Sequence, residues 1–300
     1  MNILVGTASW TDKTLIECGR FYPRGFSKPE ARLRYYASQF PMVEIDTSFY
    51  AIPSVSVSTN WALRTPPDFV FNIKAFRVFT GHHTSAAVLG KDMVHALGDL
   101  AKKRTLYYKD FPAEILDELW RRFIVAVAPL KNAGKLAAVH FQFAPWILRN
   151  RDGHAYVREC VDRMEGHHLA VEFRNATWFA EDYIAASLEF EHELGVSHTV
   201  VDAPQGVPFS VPAVWEATNT KLAVVRLHGR NAATWNVKGQ AAPSDRFNYD
   251  YPEDELAAMV SSIRRLAARV DMLQVIFNNN QEDQGQRNAK TLIRLLGDAD

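Results

Sequence analysis

Short apolar or β-branched runs recur along this chain, each followed by a stretch able to coil into a helix, and no other feature constrains the fold so strongly. They fall at Ile3–Gly6, Met42–Asp46, Phe69–Lys74, Ala137–Gln142, Leu169–Arg174, His198–Asp202, Leu222–His228 and Met272–Asn278. Most lie roughly 25 to 40 residues apart, the rhythm of a (β/α)8 chain. Helices are expected between them at Lys28–Phe40, Ala113–Asn132, Glu181–Gly195, Pro252–Val270 and Gln286–Leu296. Pro252 suits a first helical turn, and Glu253, Asp254 and Glu255 after it meet the positive end of the helix dipole. Gly134 and Gly195 stand where helices should stop. No repeat or Pro/Gly/Ser-rich linker divides the chain, so residues 1–300 read as a single α/β domain, a (β/α)8 barrel of the TIM type.

Strands covered on both faces ought to be nearly continuous in Val, Ile and Leu. These are not. In Val43-Glu44-Ile45-Asp46 the apolar residues take one face and the carboxylates the other, because side chains alternate along a strand. The same split recurs in Phe71-Asn72-Ile73-Lys74, Val139-His140-Phe141-Gln142, Val171-Glu172-Phe173-Arg174 and Val225-Arg226-Leu227-His228. If the apolar set faces the helices, then Glu44, Asp46, Lys74, Gln142, Glu172, Arg174, Arg226 and His228 point into the barrel. Asp202 and Asn278 are expected to join them from the sixth and eighth strands. All cluster toward the carboxyl ends of their strands, where barrel enzymes place their sites. An unpaired buried ion costs several kcal/mol, so such a layer persists only if its charges pair, hydrate or serve a ligand. A purely structural reading has Arg174 and Arg226 neutralise Glu44 and Glu172. Closing the barrel needs only apolar layers, however, which favours a ligand. The long connections Phe76–Phe111 and Gly229–Tyr251 are expected to build the site or its lid.

Charge narrows the partners. Lys+Arg 34 against Asp+Glu 34 leaves a formal net charge of +0, so no global field draws the molecule to nucleic acid or anionic lipid. No stretch approaches the ~18 apolar residues of a membrane span. The opening Met-Asn-Ile-Leu-Val-Gly-Thr reads at once as a strand, and a cytoplasmic location is expected. Cys18 and Cys160 lie far apart without C-x-x-C spacing, which fits two free thiols in a reducing compartment.

Several segments together carry a resemblance. Gly6-Thr7-Ala8-Ser9-Trp10, Phe21-Tyr22-Pro23, Glu44-Ile45-Asp46-Thr47-Ser48-Phe49-Tyr50, Glu172-Phe173-Arg174 with Trp178, Arg226-Leu227-His228-Gly229-Arg230 and Phe277-Asn278-Asn279 resemble the YecE-like family, domain of unknown function 72. The resemblance implies a TIM-type barrel and no established reaction. The chain departs from the family in Gln142-Phe143-Ala144-Pro145, and in Thr80-Gly81-His82-His83, where an inserted glycine leaves open which histidine faces the site.

Chemistry can be assigned to the expected mouth. Glu172, Asp202 and His228 suit acid/base work better than a metal, since no H-E-x-x-H or H-x-x-E-H spacing is present and the arginines with Lys74 would repel a cation. No metal or cofactor is expected. Lys74 reads as a clamp for an anion and less as a Schiff-base amine, because neighbouring carboxylates should hold its pKa up. Arg226, His228 and Arg230 straddle Gly229, letting two guanidiniums converge on an anion. Trp10, Tyr50, Trp178 and Trp235 lie beyond strand ends, where an aromatic face can stack on a sugar or base. Asn278 and Asn279 add hydrogen-bonding groups. The expectation is an enzyme acting on a small phosphate- or carboxylate-bearing molecule, with Glu172 or Glu44 as base and His228 as acid or donor; Lys74, Arg226 and Arg230 would hold the anion. A nuclease-like barrel with a phosphodiester across its mouth is a second reading, and a non-catalytic metabolite- or partner-binding barrel a third.

Overall fold

The computed structural model describes residues 3–207, 210–235 and 247–297. Eight parallel strands close in sequence order into one barrel. They are β1 (Ile3–Ala8), β2 (Met42–Ile45), β3 (Val70–Lys74), β4 (Leu136–Gln142), β5 (Leu169–Glu172), β6 (Ser197–Asp202), β7 (Leu222–Leu227) and β8 (Met272–Phe277). The barrel is therefore the (β/α)8 architecture expected from the rhythm. Asp46, Arg174, His228 and Asn278, read as strand residues, stand one or two positions beyond the strand ends.

Helices at Pro29–Gln39, Ala113–Asn132, Ile184–Glu193, Glu253–Ala267 and Gln284–Gly297 match the expected positions closely. Helices at Val55–Leu63 and Arg151–Arg163 were not expected, and both are capped by residues that explain them. The Ser54 hydroxyl accepts from the Val57 N–H, and the Asn150 amide oxygen accepts from the Gly153 N–H. In the Glu253–Ala267 helix Pro252 is the cap, with three acids in the first turn and Arg264 and Arg265 in the last, complementing the dipole at both ends.

Alternation along the strands separates two cores. Val43, Ile45, Val171, Phe173, Val225 and Leu227 belong to the large outer core between sheet and helices, each at most 1% exposed. Inside the barrel a smaller apolar floor gathers Ala8, Met42, Ala138, Ala170, Leu222, Val224 and Ile276. The alanines make room for Met42 and Leu222 in the narrow interior. Above the floor the Asn72 amide donates to the Gln274 side-chain oxygen across the interior at 2.6 Å. The next layer is charged.

Candidate functional site

Register brings that charged layer together. Glu44 lies opposite Asn72, Lys74 opposite His140, and Gln142 opposite Glu172, while Val201 lies opposite Arg226. Partners across a parallel pair share a face, so all of these point inward. Arg226 spans the barrel, its two terminal nitrogens each 2.6 Å from a carboxylate, Glu44 on one side and Glu172 on the other. The second oxygen of Glu172 accepts from Arg174 at 3.0 Å and from the Gln142 amide at 3.0 Å, and lies 3.2 Å from His228 Nε2. The Asn278 amide meets the other His228 nitrogen at 2.8 Å. His140 Nε2 stands 3.3 Å from Glu172, but neither of its ring nitrogens has a well-formed hydrogen bond.

Burial and pairing oppose each other here. Burial pushes Glu172 up, but Arg226, His228 and His140 outweigh it and hold the carboxyl well below its ordinary value. Glu44 is likewise raised by burial and brought below its usual value by Arg226, His140 and Lys74. Both are ionised at neutral pH. Burial depresses His228 to about 3 against the pull of Glu172, and it depresses His140 as well, so both imidazoles are neutral. The two carboxylates are then balanced by Arg226 and Arg174, and the layer closes on itself. Arg226, expected to clamp a ligand, is fully buried and committed to Glu44 and Glu172, so it cannot reach one. Glu172, expected as a general base, is saturated with donors and holds its neighbours instead.

Above this sealed layer the polar groups open to solvent. Lys74 donates to the Gln142 oxygen at 2.8 Å and lies 3.7 Å from Asp46, with 12% and 20% of their side chains exposed. The carboxylates were expected to hold Lys74 up; burial outweighs Asp46 and lowers it. Burial raises Asp46 to about 6 despite Lys74, with Glu44 adding to the rise. Arg174 reaches Glu172 through one nitrogen and lies 5.1 Å from the Trp235 ring centre, and among the described residues it has no second hydrogen-bond acceptor. His82, and not His83, faces this region: its ring meets Phe49 at 5.1 Å, and burial with the charges of Lys74, Arg77 and Arg174 lowers it to about 3. His83 packs against Tyr107.

Other expected site residues are dispersed. Asp202 lies opposite Leu227, a helix-facing residue, and so points out of the barrel rather than in. There it accepts from Arg230 through both oxygens and from Tyr251 at 2.6 Å, with Arg230 also 3.2 Å from Glu255. Arg230 is thus committed to this outer cluster, and Asp202 does not join Glu172 and His228. Gly229 takes φ +84°, where a Cβ would come within 2.5 Å of Tyr249, so the glycine permits close loop packing. Trp178 stacks flat on Phe173 at 3.8 Å, fully buried in the outer core, because the loop turns it back over the sheet. Trp10 is buried edge-on against Trp61. Tyr50 is 49% exposed at the mouth. Asn279 is buried and donates to Asn288 and to the Tyr249 carbonyl, fixing the last helix. Residues 236–246 of the Gly229–Tyr251 connection lie outside the described residues. The residues overlooked are His140, which alternation had already turned inward, and Arg77, in the short 3-10 turn after β3, where the sequence offers no periodicity. Among the described residues, no group of three or more His, Cys, Asp or Glu is arranged to hold a metal ion.

Comparison with known proteins agrees with this architecture. The model for the protein of unknown function DUF72 matches residues 4–300. UPF0759 protein YunF of Bacillus subtilis (strain 168) is 31% identical over 296 residues, 98% of this chain and 94% of the relative. A DUF72 family protein from Enterococcus faecalis V583 superposes with a TM-score of 0.79 at 26% identity, covering 98% of this chain and 95% of that one. Another from Thermotoga maritima MSB8 gives a TM-score of 0.77 at 26% identity, covering 99% and 100%. With its match spanning nearly the whole sequence, the chain belongs to the DUF72 family, whose function is unknown.

Proposed function

We propose that this protein is an enzyme acting on a small, polar, anionic substrate bound at the carboxyl end of the barrel. The observation that carries the reading is a division within one column of side chains. Glu44, Glu172, Arg226 and His228 are at most 1% exposed and linked to one another by hydrogen bonds and ion pairs, with His140 equally buried among them, whereas above them Lys74 and Asp46 keep 12% and 20% of their side chains exposed and Arg174 8%. A charged layer this costly is retained when it orients something, and what it orients is the open set. Glu172 holds Arg174 directly and Lys74 through Gln142.

Lys74 and Arg174 then receive a phosphate or carboxylate, the arginine as a fork and the lysine as a point charge. Asp46 and Lys74 are both shifted toward neutrality, which suits a pair that exchanges a proton with a substrate near pH 7. This replaces Glu172 and His228 as the acid/base groups; these become positioning residues. The cations already supply the positive charge that a metal would bring, so the reaction is proposed to be metal-independent. The free thiols of Cys18 and Cys160 suit a cytoplasmic protein.

Titration calorimetry against a panel of small phosphates and carboxylates tests the reading. Saturable binding to the wild type is expected, falling at least tenfold in both Lys74→Met and Arg174→Met. Unchanged affinity in both variants, or no binding from the whole panel, would overturn it.

A further inference from the structure

A trail of aromatic rings leads from the mouth to a groove. Lys74 lies 4.7 Å and Arg77 5.3 Å from the centre of the Phe49 ring. Phe49 meets His82 at 5.1 Å, His82 meets Trp146 at 5.6 Å, and Trp146 meets Tyr107 edge-to-face at 6.4 Å. Beside these last two rings a groove of about 390 Å³ opens between Tyr107, Trp146, Ile147 and Tyr156. Its aromatic walls are incompletely covered: Trp146 is 50% and Tyr107 37% exposed. The Trp146 indole N–H is fixed by the Gly81 carbonyl at 3.0 Å, and the Tyr156 hydroxyl donates to the Phe79 carbonyl at 3.0 Å. The rings are therefore rigidly held while their faces remain available.

Arg77 stands beside this trail in an unusual state. Its Nε has no hydrogen-bond partner, and among the described residues no carboxylate pairs with it. What it touches are the faces of Phe49 and Tyr50, the latter at 5.8 Å. A half-buried guanidinium lacking an acceptor is costly, and an incoming anion would remove that cost. Arg77 and Trp146 are fastened to the same turn. The Arg77 carbonyl accepts from the His82 N–H at 3.0 Å, and Gly81, one residue earlier, holds the indole. A cation whose Nε lacks an acceptor and a flat half-open aromatic corner are thus fastened to one turn and linked through the rings of Phe49 and His82, the first of which also carries Lys74 of the mouth.

We infer that the Trp146–Tyr107 groove is a subsite for a planar heteroaromatic ring, and that the substrate class is a nucleotide-like molecule whose phosphate lies against Arg77, Lys74 and Arg174. The inference rests on the anionic-substrate reading above and adds the ring. Base stacking is sequence-tolerant because every base offers a π-face, so the groove selects the ring as a class and not one base. A sugar phosphate lacking the ring would use the cations alone.

Calorimetry on the full chain with AMP, ribose 5-phosphate and adenosine separates the contributions. AMP is expected to bind at least about tenfold more tightly than ribose 5-phosphate, within the range that stacking on an aromatic side chain supplies. Trp146→Ala should abolish that ratio and leave ribose 5-phosphate affinity unchanged, with Trp146→Phe restoring part of it. Arg77→Met should weaken both phosphates and spare adenosine. Equal affinity of the wild type for AMP and ribose 5-phosphate would overturn the subsite and leave the anionic-substrate reading standing. Adenosine binding as tightly as AMP would keep the groove and overturn the role of the cations. Failure of all three probes to bind would overturn the nucleotide assignment, the panel of small anions still deciding the reading beneath it.

Discussion

The two arginine–carboxylate clusters of the barrel end, one around Glu172 and one around Asp202, differ in what surrounds them. Glu172 is fully buried inside the barrel and meets two guanidiniums, two imidazoles and an amide. Asp202 lies on the helix side, and its arginine, Arg230, keeps 39% of its side-chain surface exposed. If Arg230 is removed from the outer cluster, water can replace it. In the inner cluster nothing can. The contrast teaches that the same pair of residue types is a fastening in one place and a preorganised electrostatic platform in the other.

The sharpest way to break the comparison is Arg226→Met. It leaves Glu44 and Glu172 facing each other without their shared counter-ion, and should cost about 3–5 kcal/mol in chemical denaturation. A loss below about 1 kcal/mol would mean that the interior is hydrated and the layer is not sealed.

The pH dependence comes next. His228 and His140 have folded-state values depressed below the unfolded value, so the unfolded chain binds protons first as pH falls. Stability should therefore be present above about pH 6.5 and decline below it, by about 2 kcal/mol for His228 between pH 6.5 and 5, with His140 adding loss in the same direction. Glu172 adds loss in the same direction at lower pH, since its folded value is also depressed. Asp46, raised to about 6, opposes the trend, because its folded form takes up a proton before the unfolded one does. Denaturation midpoints across this range should show a shallower slope in His228→Asn. An identical slope would remove the sealed imidazole from the account.

For the outer cluster, Asp202→Ala leaves the Tyr251 hydroxyl without its acceptor and frees Arg230 to water. The expected loss is about 1–3 kcal/mol. Ligand affinity at the mouth should stay at the wild-type level, and a calorimetric titration that shows otherwise would join the two clusters functionally. The smallest effect belongs to Glu255→Gln. Its pair with Arg230 at 3.2 Å is partly exposed, and a shift of about 0.2–1 kcal/mol is expected by the same denaturation measurement.

How much of this was legible depended on whether a strand carried a polar-to-apolar contrast. At the carboxyl ends of β2, β4, β5 and β7 that contrast is present, and it orients Glu44, Gln142, Glu172 and Arg226 without knowledge of the fold. β6 lacks it. Ser197, Thr199 and Val201 face inward while His198, Val200 and Asp202 face outward, so both sides mix polar and β-branched residues and the register cannot be read. His198 lies outside for the same reason, bonded to Glu191 of the Ile184–Glu193 helix at 2.9 Å. Loops have no period at all. That hid Arg77, left the choice between His82 and His83 open, and gave Trp178 a stacking role that its packing on Phe173 forecloses. The sharing of Arg226 between two carboxylates was foreseen only as a structural alternative, because sequence shows which groups enter the barrel and not which of them stay accessible.

Gln142 gives the column a direction. Its oxygen faces the ammonium of Lys74 and its NH2 faces the carboxylate of Glu172. Turning the amide over would set donor against donor at one end and acceptor against acceptor at the other. Substitutions at positions 74, 142 and 172 should therefore depend on one another. In relatives that keep a basic residue at 74 and an acid at 172, an amide should persist between them; where the residue at 74 becomes acidic, the amide has to reverse or give way. Covariation among these three positions, with 202 varying independently of them, is the evolutionary trace this geometry should leave.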